Sequence, residues 1–366
     1  MSIQTAHSTK PLSEAVQELR AKVQGTKPKV VLFFASDNYD GAALSRQMQD
    51  AFPAACVVGC STAGEIDGAM LSGSVAAMFL GDDIVEDAAV AVVDKLGKGI
   101  DIHAAFRRLE DHFHAGPNEW DFQKYVGVVL VDGLSGAEER LLEKLGDSTD
   151  VFFVGGSAGD DLKFKSTHVY AGGVSYTDSA ALLLLQLRKG FEIVKTQSFR
   201  PMGKTLTATE VDEPRRAVLA FNHKPALEAY ADALGIPSAE AAARFFEHPL
   251  GLMVDGEPFV RSPQRADGGS IVFYCQIKQG MELEVLEATD IISDTRRAIE
   301  ERRAAMGEIR GLIDFQCILR TLQLRNEKRC AEYAAIFDGI PSAGFSTYGE
   351  AYLGHLNQTS TILLFR

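Results

Sequence analysis

One pattern recurs along the chain: a short β-branched strand, a polar loop, a helix, and a second strand ending in a glycine-serine turn. A unit of this size suits a parallel crossover, because parallel neighbours need a connection of a dozen or more residues. The first copy reads as a strand over 30–35, a helix over 42–51 and a strand over 56–59, closing in Gly59-Cys60-Ser61-Thr62-Ala63-Gly64-Glu65. The second reads as a strand over 126–131, a helix over 137–145 and a strand over 151–154, closing in Gly155-Gly156-Ser157-Ala158-Gly159-Asp160. The third opens at Phe315, reads as a helix over 326–337 and closes in Gly344-Phe345-Ser346-Thr347-Tyr348-Gly349-Glu350. In each case 29 residues separate a strand position from the turn glycine: Val30 from Gly59, Val126 from Gly155, Phe315 from Gly344. Residues 219–221, Asn222-His223-Lys224-Pro225 and a helix over 226–234 fit the first half of a degenerate fourth copy. Internal duplication constrains the fold more than any single motif.

Between the copies, stretches near 74–80, 85–93, 167–174, 179–187 and 191–196 alternate or carry β-branched runs, as do 250–254, 269–275 and 282–286. Leu12, Val16, Leu19 and Val23 mark an amphipathic helix, and 290–305 a charged one. The expected fold is α+β, with two domains of mixed or antiparallel sheets flanked by helices. An N-terminal helix over 1–27 precedes domains over 28–213 and 214–366, divided near Glu213-Pro214.

A chain of 366 residues with 46% hydrophobic and 24% charged residues has ample material for full cores. Its net charge of −13 argues against a nucleic-acid or anionic-membrane partner, since both need a basic footprint. Five scattered cysteines without a CxxC pair read as reduced thiols. The start lacks an apolar leader, and no apolar run approaches the roughly 20 residues of a membrane span. A cytoplasmic protein is expected.

Glycine-rich turns expose backbone N–H groups, and serine adds a hydroxyl. Ser61, Ser157 and Ser346, with Arg261 as a bidentate partner, are therefore candidates to hold a small carboxylate. Equally, the glycines answer a purely backbone need. The turns match neither the Walker A, the GxGxxG nor the GxSxG pattern, and Cys60 has no histidine placed beside it. No catalytic constellation emerges, so a non-enzymatic role is expected. Of eight histidines, His7 falls in a terminus expected to fray, and His103, His112 and His114 on a charged helix. His248 differs, lying within Phe245-Phe246-Glu247-His248-Pro249-Leu250; His355 follows the third turn and His223 precedes Lys224-Pro225. Each suits either an iron ligand in an apolar setting or a hydrogen-bonded structural histidine.

The run Val57–Ile66 and Phe153-Val154-Gly155-Gly156-Ser157-Ala158-Gly159-Asp160 resemble the FIST N-terminal sensory domain. Phe221–Ala226, Pro249-Leu250-Gly251 with Arg261, and Gly344–Glu350 with Asn357-Gln358-Thr359 resemble its C-terminal partner. The resemblance implies a ligand-sensing module of signal transduction. It extends to the NosP group, bacterial haem proteins that sense nitric oxide. By that resemblance, one histidine holds a non-covalent haem b, with His248 ranked first, His355 second and His223 third. The implied partner is a bacterial histidine kinase in cyclic-di-GMP or biofilm control, and homo-oligomerisation stays open. The alternative is a haem-free module binding an amino acid or other small carboxylate.

Overall fold

The recurring unit folds the same way three times. In the computed structural model, which describes residues 3–366, Val30–Ser36 pairs in parallel with Cys56–Thr62, Tyr125–Val131 with Phe153–Ser157, and Gly311–Cys317 with Ser342–Thr347. Gly59 faces Phe33, 26 positions back, and Gly155 faces Val129, also 26 back; Gly344 faces Asp314, 30 back. The equal 29-residue intervals therefore compare strand positions that are not equivalent, and the third crossover is the longer one. A Cβ on Gly59 would lie 2.1 Å from the Phe33 carbonyl oxygen, on Gly155 1.9 Å from that of Val129, and on Gly344 2.0 Å from that of Asp314. Close approach of two backbones fixes these glycines.

Crossover helices join the pairs. Gly41–Ala51 starts where the Asp40 side chain accepts the Ala43 N–H at 2.9 Å, and it buries Leu44 and Met48. Glu138–Ser148 buries Glu138, Leu141 and Leu145 along one stripe. In the third copy the helix begins at Ile318, not at 326: Ile318–Asn326 buries Ile318, Thr321 and Leu324, and a short Cys330–Ala334 helix follows. The left-handed Lys328 (φ 60°) separates the two helices.

After each turn the chain leaves its own pair and joins another. Glu65–Ile66 from the first copy pairs with Phe345 and Gly344 of the third. Glu350–Ala351 from the third pairs with Gly156 and Gly155 of the second. Val169–Ala171, beyond the second turn, pairs with Cys60, Gly59 and Val58 of the first. The exchange is cyclic. On the other side of each pair lies an antiparallel strand: Val75–Leu80, Ala180–Leu187 and Thr359–Phe365. One core receives Phe34, Val58 and Met78 from the first sheet, Val128, Val154 and Leu183 from the second, and Phe315, Phe345 and Leu363 from the third. Phe345 stacks on Phe34 at 4.8 Å and meets Phe315 edge-on at 5.9 Å. Burying each such ring contributes about 1.5–3 kcal/mol.

The chain divides into two units, the first being Met1–Thr196, Arg296–His355 and Ser360–Arg366, the second Gln197–Thr295 and Leu356–Thr359. All three parallel pairs lie in the first unit. The second is built on an antiparallel sheet in which Phe199–Asp212 pairs with both Ala217–Phe221 and Glu282–Ala288. Ala217–Phe221 also pairs antiparallel with Ser270–Phe273, so the expected fourth copy is a hairpin strand, not a parallel unit. Glu213-Pro214 sits in the turn of that hairpin, with Asp212 paired to Ala217. Helix Ala226–Leu234 covers a core of Tyr230, Phe221, Phe273 and Leu250. Near the start of the chain, His7 belongs to strand Gln4–Ser8 and its Nδ1 lies 2.7 Å from Asp67, in place of a frayed end. Among the described residues, no helix is long and apolar enough to cross a membrane.

Candidate functional site

The three glycine-serine turns meet in the first unit at the carboxyl ends of the parallel strands, where open parallel sheets expose backbone groups for binding. Here those groups bind one another. Gly159 N–H donates to Ser61 O at 3.0 Å and Asp161 N–H to Thr62 O at 3.1 Å, tying the second turn to the first. Ala63 N–H donates to Ser346 O at 3.2 Å and Ser346 N–H to Gly64 O at 2.7 Å, tying the first to the third. Ser157 N–H donates to Gly349 O at 2.8 Å and Tyr348 N–H to Ser157 O at 3.1 Å, closing the ring.

Ser61, Ser157 and Ser346 are thus brought together, each 1% exposed or less. Their hydroxyls have internal partners. Ser61 Oγ accepts the His168 N–H at 2.9 Å, Ser157 Oγ donates to Glu138 Oε1 at 3.1 Å, and Ser346 Oγ lies 2.8 Å from Thr321 Oγ1. The turn carboxylates are equally engaged. Glu65 accepts the Thr62 hydroxyl, and its Oε2 accepts the Ser74 N–H at 3.0 Å and hydroxyl at 2.5 Å. Glu350 Oε1 accepts the Thr347 hydroxyl at 2.5 Å. Burial pushes the Glu65 carboxyl up, against the Ser74 and Thr62 hydrogen bonds that lower it. Burial likewise holds the Cys60 thiol well above its ordinary value, which suits an inert core cysteine.

Asp160 is held differently. Its Oδ1 accepts the Phe164 N–H at 2.9 Å and the Tyr348 hydroxyl at 2.5 Å, while Oδ2 accepts the N–H groups of Lys165 at 2.6 Å and Ser166 at 3.0 Å. Burial raises this carboxyl, yet the four donors outweigh it and hold it below its ordinary value. The loop wrapped round Asp160 is strained: Asp161, Leu162 and Phe164 all adopt left-handed φ of 50–64°. Phe164 is 58% exposed and stacks on Tyr348 at 5.0 Å.

His355 also belongs to this unit. It is 4% exposed, with Nδ1 3.0 Å from Glu139 Oε1, and a Cβ on Gly349 would lie 1.9 Å from its Nε2. Ligand atoms of His355, Glu138 and Glu139 all lie within 4.8 Å of one another. Nothing in the sequence joins these three, because the histidine follows the glutamates by more than 200 residues.

The other candidates lie in the second unit. His223 is exposed at a left-handed turn (φ 63°), its N–H donating to Thr209 Oγ1 at 3.0 Å. Arg261, half-buried, ends strand Glu257–Arg261, where its Nη1 donates to Val260 O at 3.3 Å. His248 is half-buried; its Nδ1 lies 3.1 Å from Leu286 O, and its backbone carbonyl accepts the Tyr230 hydroxyl at 2.7 Å. Tyr230 in turn meets Phe245 edge-on at 5.2 Å. Four hollows in the first unit have volumes of 530, 460, 360 and 320 Å³, and none of them is lined by His355 or the three serines.

Sequence models of the FIST N domain and the FIST C domain match residues 29–224 and 226–352. An uncharacterized protein of Methanocaldococcus jannaschii is 24% identical over 197 residues, covering 50% of this chain and 38% of that relative. The chain thus spans well under half of the relative it matches. FIST domains are sensory modules of signal transduction, and by these two matches the chain belongs to the FIST family.

Proposed function

We propose that the protein is a sensor and not an enzyme, and that it holds haem b through His248 to detect nitric oxide. The observation that carries the reading is the 3.1 Å contact between His248 Nδ1 and the Leu286 carbonyl. A carbonyl only accepts, so Nδ1 donates, and in a neutral ring that leaves the Nε2 lone pair for a metal, the arrangement of metal-ligating histidines. Buried Phe245 and exposed Phe246 precede His248 by three and two positions in the chain. The His355 ring is less suited, with Nδ1 on Glu139 and Nε2 against the Gly349 backbone. His223, exposed at its turn, has no comparable cover. Haem would supply an iron that takes up a diatomic gas.

The chain's own residues suggest how occupancy is passed on. The Tyr230 hydroxyl anchors the His248 backbone, and Leu286 belongs to Glu282–Ala288, which pairs with both Leu250–Val254 and Phe199–Asp212. Moving the imidazole therefore changes a hydrogen bond at the centre of the sheet, a suitable bias for a two-state element. We assign the output to contact with a bacterial histidine kinase in cyclic-di-GMP or biofilm control. Full-length protein supplied with haem is expected to show a Soret band that moves on adding nitric oxide. His248→Ala should abolish the band while His223→Ala keeps it. Absence of a band, or its survival in His248→Ala, overturns the reading. Thermal stabilisation by amino acids that is lost in Arg261→Ala would then favour the haem-free carboxylate sensor.

A further inference from the structure

We infer that Glu138, Glu139 and His355 form a site for a divalent first-row transition ion, separate from any haem. Helix Glu138–Ser148 buries a stripe of Glu138, Leu141 and Leu145. Glu138 is 4% exposed, at the first position of a helix whose counterpart in the first copy starts with Gly41, while Leu141 and Leu145 stand where that helix carries Leu44 and Met48. A glutamate this deep is retained when it is paired or coordinates a cation. Glu138 and Glu139 are the first two residues of this helix, and a carboxylate oxygen of each lies within 4.8 Å of the His355 ligand nitrogen.

The donor set, two carboxylates and one imidazole mutually within 4.8 Å, matches Zn²⁺, Mn²⁺ or Fe²⁺ better than an all-oxygen Ca²⁺ or Mg²⁺ cage. The ion would take the place of the proton shared between His355 Nδ1 and Glu139 Oε1, and that proton leaves to solvent. Two outer contacts hold the ligands. The Ser157 hydroxyl donates to Glu138 Oε1 at 3.1 Å. Gly349 leaves the space that the His355 ring occupies, since a Cβ there would lie 1.9 Å from Nε2. The second and third turns would thus serve as the supporting shell of a metal centre.

Haem-free full-length protein, stripped with chelator and incubated separately with Zn²⁺ and Mn²⁺, is the sample to test. Metal analysis after desalting should give close to one ion per chain for at least one of the two. Glu139→Gln and His355→Gln should bind at least tenfold more weakly, with unchanged circular dichroism. Glu143→Gln, exposed on the same helix, should bind like wild type. A further readout is Co²⁺ absorption, whose ligand-field bands should vanish in His355→Gln. Sub-stoichiometric uptake of both ions, or uptake by Glu139→Gln equal to wild type, overturns the inference. Neither result bears on the haem reading, which concerns His248.

Discussion

The first and second turns lie in the same hydrogen-bonded ring and each ends in a carboxylate, but they hold it by opposite means. The first has Ser-Thr-Ala-Gly-Glu, and Glu65 is met mainly by hydroxyls that can rotate to donate or accept. The second is one residue shorter, Ser-Ala-Gly-Asp, and Asp160 is met by three fixed backbone N–H groups and one phenol. Burial wins at Glu65, raising its carboxyl; the donors win at Asp160, lowering it. The comparison teaches that equivalent positions of a duplicated fold diverge electrostatically when a hydroxyl is exchanged for a backbone amide.

The strongest way to break the comparison is to attack what the two copies share. Gly59→Ala and Gly155→Ala each drive a Cβ to about 2 Å from a facing carbonyl oxygen. Each should cost about 3 kcal/mol or more, read as a lowered urea midpoint, with similar losses in both. A negligible loss in either would show that the strands can separate without penalty.

What differs should appear next. At pH 7 Asp160→Asn turns an amide NH₂ or a single oxygen toward four donors and should cost about 2 kcal/mol. Glu65→Gln keeps one oxygen for Ser74 and offers its NH₂ to the Thr62 hydroxyl, so its cost should stay within about 1 kcal/mol. The pH dependences have opposite sign. Asp160, with a depressed carboxyl, contributes stability above its ordinary value of 3.8 that is lost as the pH falls through its lower folded value. Glu65, with a raised carboxyl, contributes stability below 4.5 that is lost as the pH rises through its higher folded value. Thermal melts from pH 3 to 7 should therefore show the Asp160→Asn deficit shrinking toward acid and the Glu65→Gln deficit shrinking toward neutrality. Parallel melting curves for the two would erase the distinction.

A more local effect belongs to Tyr348→Phe, which removes one donor to Asp160 and the acceptor of the Leu162 N–H at 2.8 Å. About 1 kcal/mol is expected, with faster hydrogen exchange confined to the strained loop round Asp160. Protection unchanged at Leu162 would place the loop's order elsewhere.

The parallel strands and their closing turns were legible in the sequence because β-branched runs and glycine-serine turns are local signals. The third crossover helix was misplaced because Ile318 and Leu319 follow a strand directly and read as its continuation. Arg320 and Asp314 carry no mark of burial in the sequence, yet they are 2% and 0% exposed. The Tyr333 and Ser360 hydroxyls donate to Asp314 at 2.9 and 2.6 Å, while burial pushes its carboxyl up to about 6. Such a cluster is assembled by tertiary pairing alone. For the same reason the sequence named His355 but not its two glutamates. It marked the three serines as exposed donors, whereas their geometry turns each one inward.

The cyclic exchange of strands also bears on synthesis. Glu65–Ile66 has no sheet to join until Phe345 has been made, and Phe153–Ser157 waits for Glu350–Ala351. The whole of Gln197–Thr295 is translated in between. A ribosome paused within helix Ile291–Met306 therefore carries one parallel pair, Tyr125–Val131 with Phe153–Ser157, whose outer strand has an open edge, and an unpaired Glu65–Ile66. An uncovered strand edge of this kind is where another chain can pair, and the ring of turns can close only after the third copy has been made.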